Sequence, residues 1–443
     1  MKIALATLGC KTNQSDAASL ASELVFQGHE IVPLSEAADA YIIHTCTVTH
    51  KTDYQSRQLI RQAIAKNPGA QVIVTGCYAQ VSPEPLLAIP GVDFVVGVSE
   101  HEKIPGILGS RTKLKETCLL SSTVEGQRCF DDRRLPLFSE RTRAYLKVQD
   151  GCNAFCSYCI VPYARGRNRS LPLERGVSKA RGLFFRGFKE IVLTGIHLGT
   201  YGEDLVPAHS LLNLLQALEG ESMDMRVRLS SVEPTELTPA LIDFLAGSQR
   251  VCPHLHIPLQ SGDDGILQRM NRNYSSAFFE GLVNHLVRAI PDLAIGSDVI
   301  AGFPGEDERA FGNTVNLIAR LPIAYLHVFP FSARKGTPAA TFSGQVSSQV
   351  IKARCQTLRE LGEKKRRTFY GAFLGRKLKV LVESKRDRGS GLLKGYSRNY
   401  IPVLIRAGDE HIHQELEVGV VEVCGEKVFG KVLSPQRTQR LIC

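Results

Sequence analysis

No stretch of this 443-residue chain approaches the ~20 consecutive apolar residues that a membrane-spanning helix needs, so a helical membrane protein is not expected. The first apolar run, Met1-Lys2-Ile3-Ala4-Leu5, reads as a buried strand. It breaks at Gly9-Cys10-Lys11-Thr12-Asn13, too early for a secretory leader. The expected compartment is therefore the cytoplasm, where thiols stay reduced and grouped cysteines point to metal rather than disulfides. Compositional extremes are lacking too. With 43% hydrophobic and 22% charged residues, the chain fits two or three ordinary globular domains with substantial cores. One particular cysteine is also missing. The run Cys152-Asn153-Ala154-Phe155-Cys156-Ser157-Tyr158-Cys159 offers three thiols at C-x3-C-x2-C spacing and no fourth. A closed zinc site or a ferredoxin-type cluster takes four protein ligands. Three ligands leave one iron of a [4Fe–4S] cluster free to bind a small molecule.

What is present divides into three segments. Residues 1–135 alternate strand and helix patterns, with apolar runs at Ile3–Ala6, Ala40–Ile43 and Val72–Val74. Helical spacing separates them, first at Ala17, Leu20, Ala21 and Leu24 and then over Gln55–Lys66. Such alternation predicts an α/β domain built on a doubly wound parallel sheet, with ligands beyond the carboxyl ends of its strands. Each strand runs directly into a cysteine: Cys10, Cys46 and Cys77. A buried structural cysteine is the ordinary fate of any one of them, but three in the same position form a second candidate three-thiolate site. Cys118, Cys129, Cys252, Cys355, Cys424 and Cys443 show no such grouping and are read as non-ligands.

A polar, Arg-rich linker from Gln127 to Arg143 leads to residues 140–365. Strand candidates there are Ala144–Val148, Glu190–Thr194, Arg226–Leu229, Leu255–Ile257, Leu293–Ile300 and Tyr325–Phe329. Helical stretches such as Leu211–Leu218 and Ala277–Ala289 separate them. Six βα units predict an open, partial (β/α)6 barrel with its chemistry at the strands' carboxyl ends, where the Cys152 triad falls. Residues 368–432 change to short alternating runs and glycine turns, the pattern of a small antiparallel β-barrel.

The net charge of +10 is concentrated late: from Lys364 to Cys443 there are 17 Lys+Arg against 8 Asp+Glu. An ordinary solvated surface accounts for any single cation. A terminal module this asymmetric reads as a polyanion-binding attachment, with nucleic acid the natural partner. Lys394, Tyr396 and Arg398 interleave cationic and aromatic groups that suit backbone contacts and base stacking.

The chain resembles the radical S-adenosylmethionine (SAM) methylthiotransferases along nearly its whole length. The resemblance rests on Thr7–Gln14, Gly151–Arg167, Arg228–Pro234, His256–Gly262, Asp298–Glu306 and His327–Ser332. It implies two [4Fe–4S] clusters, an auxiliary one on Cys10, Cys46 and Cys77 and a radical-generating one on Cys152, Cys156 and Cys159. It also implies a C-terminal RNA-binding barrel of the TRAM type. In the implied reaction one SAM methylates a sulfur held at the auxiliary cluster. A second SAM is reductively cleaved to a 5′-deoxyadenosyl radical, which takes hydrogen from an unactivated carbon that then receives the methylthio group. An aromatic C–H cannot be deprotonated at neutral pH, so a radical cofactor must supply this chemistry.

Many radical-SAM enzymes carry a Gly-Gly-Glu-like motif after the second strand; here Thr194-Gly195-Ile196-His197 stands in its place. Tyr158, Gly195, Glu233, His256, Gln260 and Asp298 are the candidate SAM contacts. Glu233, His256, Gln260 and Asp298 read equally well as substrate contacts or as hydrogen-bonding residues of the barrel core. No catalytic residue is assigned beyond the cluster ligands.

The segment His44-Thr45-Cys46-Thr47-Val48-Thr49-His50-Lys51-Thr52-Asp53 resembles the branch acting on N6-threonylcarbamoyladenosine-37 in tRNA. Isopentenyladenosine-37 in tRNA and an aspartate of a ribosomal protein are the alternatives. Expected partners are a tRNA anticodon stem-loop, a low-potential electron donor and a sulfur source. An RNA-binding Fe–S protein without radical chemistry is the non-enzymatic reading. A plain SAM-dependent RNA methyltransferase is a further one, which two open three-cysteine sites argue against.

Overall fold

The computed structural model describes residues 1–109, 113–136 and 142–433. Cys443, with part of the Arg-rich linker, lies outside the described residues.

Six parallel strands open the fold: β1 (Lys2–Thr7), β2 (Glu30–Val32), β3 (Ala40–Thr45), β4 (Gln71–Gly76), β5 (Phe94–Val96) and β6 (Cys118–Leu120). Their order is β2-β1-β3-β4-β5-β6. β3 and β4 are buried at every residue, as strands covered on both faces must be. Ile3, Ile42 and Ile73 pack under α1 (Lys11–Phe26) with Leu20 and Leu24. Their neighbours Ala4, Tyr41, Ile43, Val72 and Val74 face α2 (His50–Lys66) through Ile60 and Ala63. The two-residue alternation thus sends successive side chains to two separate cores. This is the expected doubly wound sheet, with three further strands of three residues each.

Next come β7 (Arg143–Lys147) and a two-residue antiparallel clasp, β8 (Gln149–Asp150) on β9 (Arg169–Ser170). The rest of the second segment carries β10 (Glu190–Thr194), β11 (Arg226–Leu229), β12 (His254–His256), β13 (Ala294–Ala301) and β14 (Tyr325–Pro330). β7-β10-β11 and β12-β13-β14 are parallel sheets, joined by parallel bridges Val227↔Val251 and Ser231↔His256. Together they make the open six-stranded barrel, each strand within a residue of its expected bounds.

β15 (Lys377–Arg386), β16 (Leu393–Ser397), β17 (Pro402–Ile405), β18 (Glu415–Cys424) and β19 (Lys427–Val432) close the small C-terminal barrel. The helix Ser348–Gly371 leads into it. Cys355 and Leu358 of that helix belong to the core of the larger barrel, whereas Tyr370 belongs to the core of the smaller one. The expected boundary at 365–368 therefore falls inside one continuous helix.

Ionic contacts dock the small barrel onto the amino-terminal strand ends of the large one. Fully buried Glu190 accepts from Arg228, and Arg226 also pairs with it, donates to Glu415 and reaches the Tyr396 carbonyl. Arg228 donates to the Arg398 carbonyl at 2.8 Å.

Candidate active site

Pairings Thr7↔His44 and Thr45↔Gly76 place the carboxyl ends of β1, β3 and β4 side by side, and all three end in a cysteine. Cys10 caps α1, Cys46 follows β3, and Cys77 starts the short helix α3 (Cys77–Val81). The junctions leave no room for side chains. A Cβ on Gly9, at φ +105°, would lie 2.6 Å from the Cys46 Cβ, and one on Gly76 would lie 2.3 Å from the Thr45 carbonyl oxygen. Asn13 anchors the group: its amide nitrogen donates to the carbonyls of Leu8 and Thr45, while its oxygen lies 3.8 Å from the Cys10 Sγ and 3.9 Å from the Cys77 Sγ.

The second triad sits in the loop that β8 and β9 clasp. Cys152 N donates to the Gly166 carbonyl at 3.0 Å and Cys159 N to the Cys156 carbonyl at 2.9 Å. A Cβ on Gly151 would collide with the Arg167 carbonyl. Two cationic side chains face the thiols. His197 Nδ1 is 3.4 Å from the Cys152 Sγ, and Arg272 Nη1 is 3.4 Å from the Cys156 Sγ. Carboxylates hold both: Glu236 pairs with His197 and Glu233 with Arg272. Burial opposes a charge on His197, but the Cys152 thiol and Glu236 raise its pKa to about 11.

The six cysteines fit two iron–sulfur clusters. Among the described residues no cysteine is spent in a disulfide. Burial and repulsion from neighbouring thiols raise Cys46 and Cys159 to about 12. Sites so costly to ionise hold thiolates only when a metal takes the proton's place. Among the described residues, His256, Asp298 and His327 also bring one possible ligand atom each within 4.8 Å of one another.

A cavity of about 200 Å³ opens beside Cys159 at the carboxyl ends of β13 and β14, with Tyr158, Gln260 and Asp298 among its lining. His256 stands behind Asp298, Nε2 to Oδ1 2.7 Å, and both histidines beside Asp298 hold its carboxyl well below the usual range against the cost of burial. Glu233 and Gly195 are not in the lining. Glu233 acts through Arg272, and Gly195 gives space to Gln149, whose Oε1 lies 2.5 Å from where a Cβ would stand. Val48 and Thr49 of the first domain close the opposite wall, so the cavity lies between the two cysteine-bearing domains.

A second cavity, about 220 Å³, shares Ile160 with the first and is lined by three cationic side chains, Arg57, Arg334 and Lys335, against the single carboxylate of Asp53, with His50 beside them. Arg334 donates to Thr47 at 2.5 Å and to Asp53 at 2.7 Å, and its buried Nε has no partner among the described residues. Arg57 donates to the Tyr78 hydroxyl at 2.6 Å. The expected site residues did not include Arg165, Arg272, Arg334 or His197. Arg165 and His197 do fall within the Gly151–Arg167 and Thr194–His197 motifs, which was the available signal.

Lys394, Tyr396 and Arg398 lie together on the docking side of the small barrel. Tyr396 stacks on Tyr400 at 5.0 Å, with the Arg143 guanidinium 4.7 Å over its ring and the Lys394 ammonium at 5.1 Å. Arg398 pairs with Glu415 and donates to the Gln249 carbonyl. Lys377, Lys379, Lys427 and Lys431 are exposed, and Lys377 and Lys431 both register with Gly419 from opposite sides.

Comparison with known proteins agrees with this architecture. Residues 2–97 match a family described as Uncharacterized protein family UPF0004, and residues 146–318 match the Radical SAM superfamily. A threonylcarbamoyladenosine tRNA methylthiotransferase MtaB of Bacillus subtilis is 38% identical over 99% of this chain and 98% of its own length. That of Aquifex aeolicus is 40% identical over 86% of this chain and 93% of its own. A tRNA-2-methylthio-N(6)-dimethylallyladenosine synthase of Caldicellulosiruptor saccharolyticus is 32% identical over 96% and 91%. Among solved structures, the radical SAM methyltransferase TsrM of Kitasatospora setae, with cobalamin and a [4Fe–4S] cluster bound, superposes with a TM-score of 0.57. It is 14% identical and covers 76% of each chain, a likeness of fold alone. Two three-thiol centres on a doubly wound sheet and an open barrel, with whole-length relatives of this kind, establish that the chain belongs to the radical-SAM methylthiotransferase family.

Proposed function

We propose that this enzyme adds a methylthio group to C2 of N6-threonylcarbamoyladenosine at position 37 of tRNA. It would act in the cytoplasm with SAM, a low-potential electron donor and an external sulfur source. The observation that carries the substrate is the cationic pocket beside the main cavity. His50 and Asp53 of its wall belong to the His44–Asp53 segment, whose sequence resembles the threonylcarbamoyladenosine branch. The threonylcarbamoyl group ends in a carboxylate, for which Arg57, Arg334 and Lys335 supply charge-assisted donors. An isopentenyl group would offer no acceptor to the buried, unpartnered Arg334 Nε, a loss of about 1–3 kcal/mol relative to a substrate that does. The five MtaB relatives, 34–40% identical, carry the threonylcarbamoyladenosine name, against 32% for those named for dimethylallyladenosine.

Bound on the two triads, iron–sulfur clusters supply one-electron cleavage of SAM and a seat for the sulfur to be transferred. The chain's own residues do the rest. Cys10, Cys46 and Cys77 hold one centre and Cys152, Cys156 and Cys159 the other. Arg272 and His197 place positive charge against the radical triad, which favours its more negative states. Tyr158, Gln260 and Asp298 line the cavity for SAM and the nucleobase, with His256 fixing the Asp298 carboxylate. Val48, Ile160, Phe329 and Phe331 give the cavity an apolar wall against which a nucleobase can pack. The exposed lysines of the small barrel give tRNA phosphates a sequence-independent hold.

The test supplies the reconstituted enzyme with SAM, reductant and sulfide, and with anticodon stem-loops bearing either modification. Methylthiolation of the threonylcarbamoyl substrate is expected. Modification only of the isopentenyl stem-loop, or of a ribosomal protein, would overturn the assignment.

A further inference from the structure

Arg165 is among the largest fully buried side chains, and although Cys159 lies only six positions earlier, its hydrogen bonds go elsewhere. It points across the domain boundary instead. Nη1 donates to both Asp150 oxygens at 2.9 Å, and Nη2 donates to the Asn13 oxygen at 2.7 Å and to Asp16 at 2.8 Å. The Asn13 oxygen is the atom that lies 3.8 and 3.9 Å from the Cys10 and Cys77 sulfurs. Lys147 completes the group, paired with Asp16 and Asp150. The bridge has a direction: its carboxylate Asp150 belongs to the clasp beneath Cys152, and its guanidinium faces the other triad.

We infer that Arg165, carried on the radical-SAM loop, is a positioning residue that supplies the auxiliary centre with its counter-charge. The centre is therefore electrostatically complete only when the two domains are docked. The inference rests on the reading that Cys10, Cys46 and Cys77 hold an iron–sulfur cluster. A three-thiolate cluster is anionic and gains a further negative charge on reduction, or on taking an anionic sulfur at its open iron. A buried cation beside it favours both, and more strongly than the same charge in water would. Tying that cation to the loop of the other cluster also fixes the separation of the two centres.

The test uses the full-length chain with Cys152, Cys156 and Cys159 replaced by Ala. After reconstitution with iron and sulfide, only the auxiliary centre then titrates in an EPR-monitored redox titration. Arg165→Gln is expected to lower the reduced-to-oxidised ratio at fixed potential about tenfold, or about 59 mV for a one-electron couple. Asp150→Asn removes the other end of the same pair and is expected to shift the ratio the opposite way. Arg165→Lys keeps the charge and is expected to stay near the parent potential. Shifts of the same sign in Arg165→Gln and Asp150→Asn, or no shift in either, would overturn the inference, since mere structural damage has no reason to change sign. Should Arg165→Gln fail to retain iron, the lysine variant decides: retained iron supports the charge role, and equal loss overturns it. A parent protein that binds no iron would refute the auxiliary site itself, a failure distinguishable from an unmoved potential.

Discussion

Arg334 reaches back 281 positions in sequence to donate a 2.7 Å hydrogen bond to Asp53, joining the exit of the open barrel to the first turn of α2. Both side chains are buried. The Thr47 hydroxyl donates to the same carboxylate at 2.7 Å, so the segment after Cys46 is held from two sides. Removing one partner of a buried pair costs about 3–5 kcal/mol, because the other charge is left alone. Arg334→Gln should therefore lower the unfolding midpoint in denaturant titrations, and adding Asp53→Asn should recover much of the loss. Turnover of the threonylcarbamoyl stem-loop should remain impaired in the double variant, since Arg334 also faces the cationic pocket. Full recovery of both would make Arg334 a structural strut alone.

The two cysteine triads should behave as separable centres. Anaerobic reconstitution should give about eight irons per chain, as two cubes require. Replacing either triad by Ala should remove about four of them. Loss of the Cys152 triad should abolish 5′-deoxyadenosine formation, whereas loss of the Cys10 triad should leave SAM cleavage detectable. Loss of all iron from a variant that remains folded would contradict two independent sites.

Much of this was legible because a short apolar run leading into a cysteine is a local signal. β1, β3 and β4 follow from short apolar runs that lead into a cysteine, and the six strands of the open barrel from short strand-like runs between helical stretches. β2, β5 and β6, of three residues each, were not read from the sequence; β12 is equally short but was, at Leu255–Ile257. The helix Ser348–Gly371 escaped because its inward face is sparse: Arg354, Cys355, Leu358, Gly362 and Tyr370 are its buried residues. The alternation of Lys394, Tyr396 and Arg398 was readable, but which face of a small barrel docks on its neighbour is decided by tertiary contacts. Arg165 and Arg334 show the same limit, since their partners lie far away in sequence.

The small barrel's outward lysines should set the salt dependence of tRNA binding. Lys377→Ala with Lys431→Ala should weaken affinity similarly across unrelated tRNAs. It should also flatten the log–log salt slope by about 0.7–0.9 for each phosphate no longer neutralised. An unchanged slope would place the RNA-binding surface elsewhere.

Glu190 makes the docking floor acid-sensitive. Burial favours its neutral form, but Arg228 and Arg226 overcome this and lower its pKa from 4.5 to about 2. A depressed carboxyl contributes stability that is complete above about pH 4.5 and is lost as pH falls toward 2. Urea titrations of the metal-free protein should show that loss in the parent. Glu190→Gln should be less stable at pH 7 and should lack this component of the acid dependence. Parallel pH profiles for the two proteins would contradict the assignment.

The central claim concerns which nucleoside is modified, and mass spectrometry of tRNA nucleosides from cells with and without this protein tests it most directly. The predicted result is loss of 2-methylthio-N6-threonylcarbamoyladenosine, accumulation of its unmethylthiolated precursor, and restoration by the intact chain but not by one lacking Cys10, Cys46 and Cys77. Unchanged levels of that nucleoside, with loss of the methylthio-isopentenyl one instead, would contradict it.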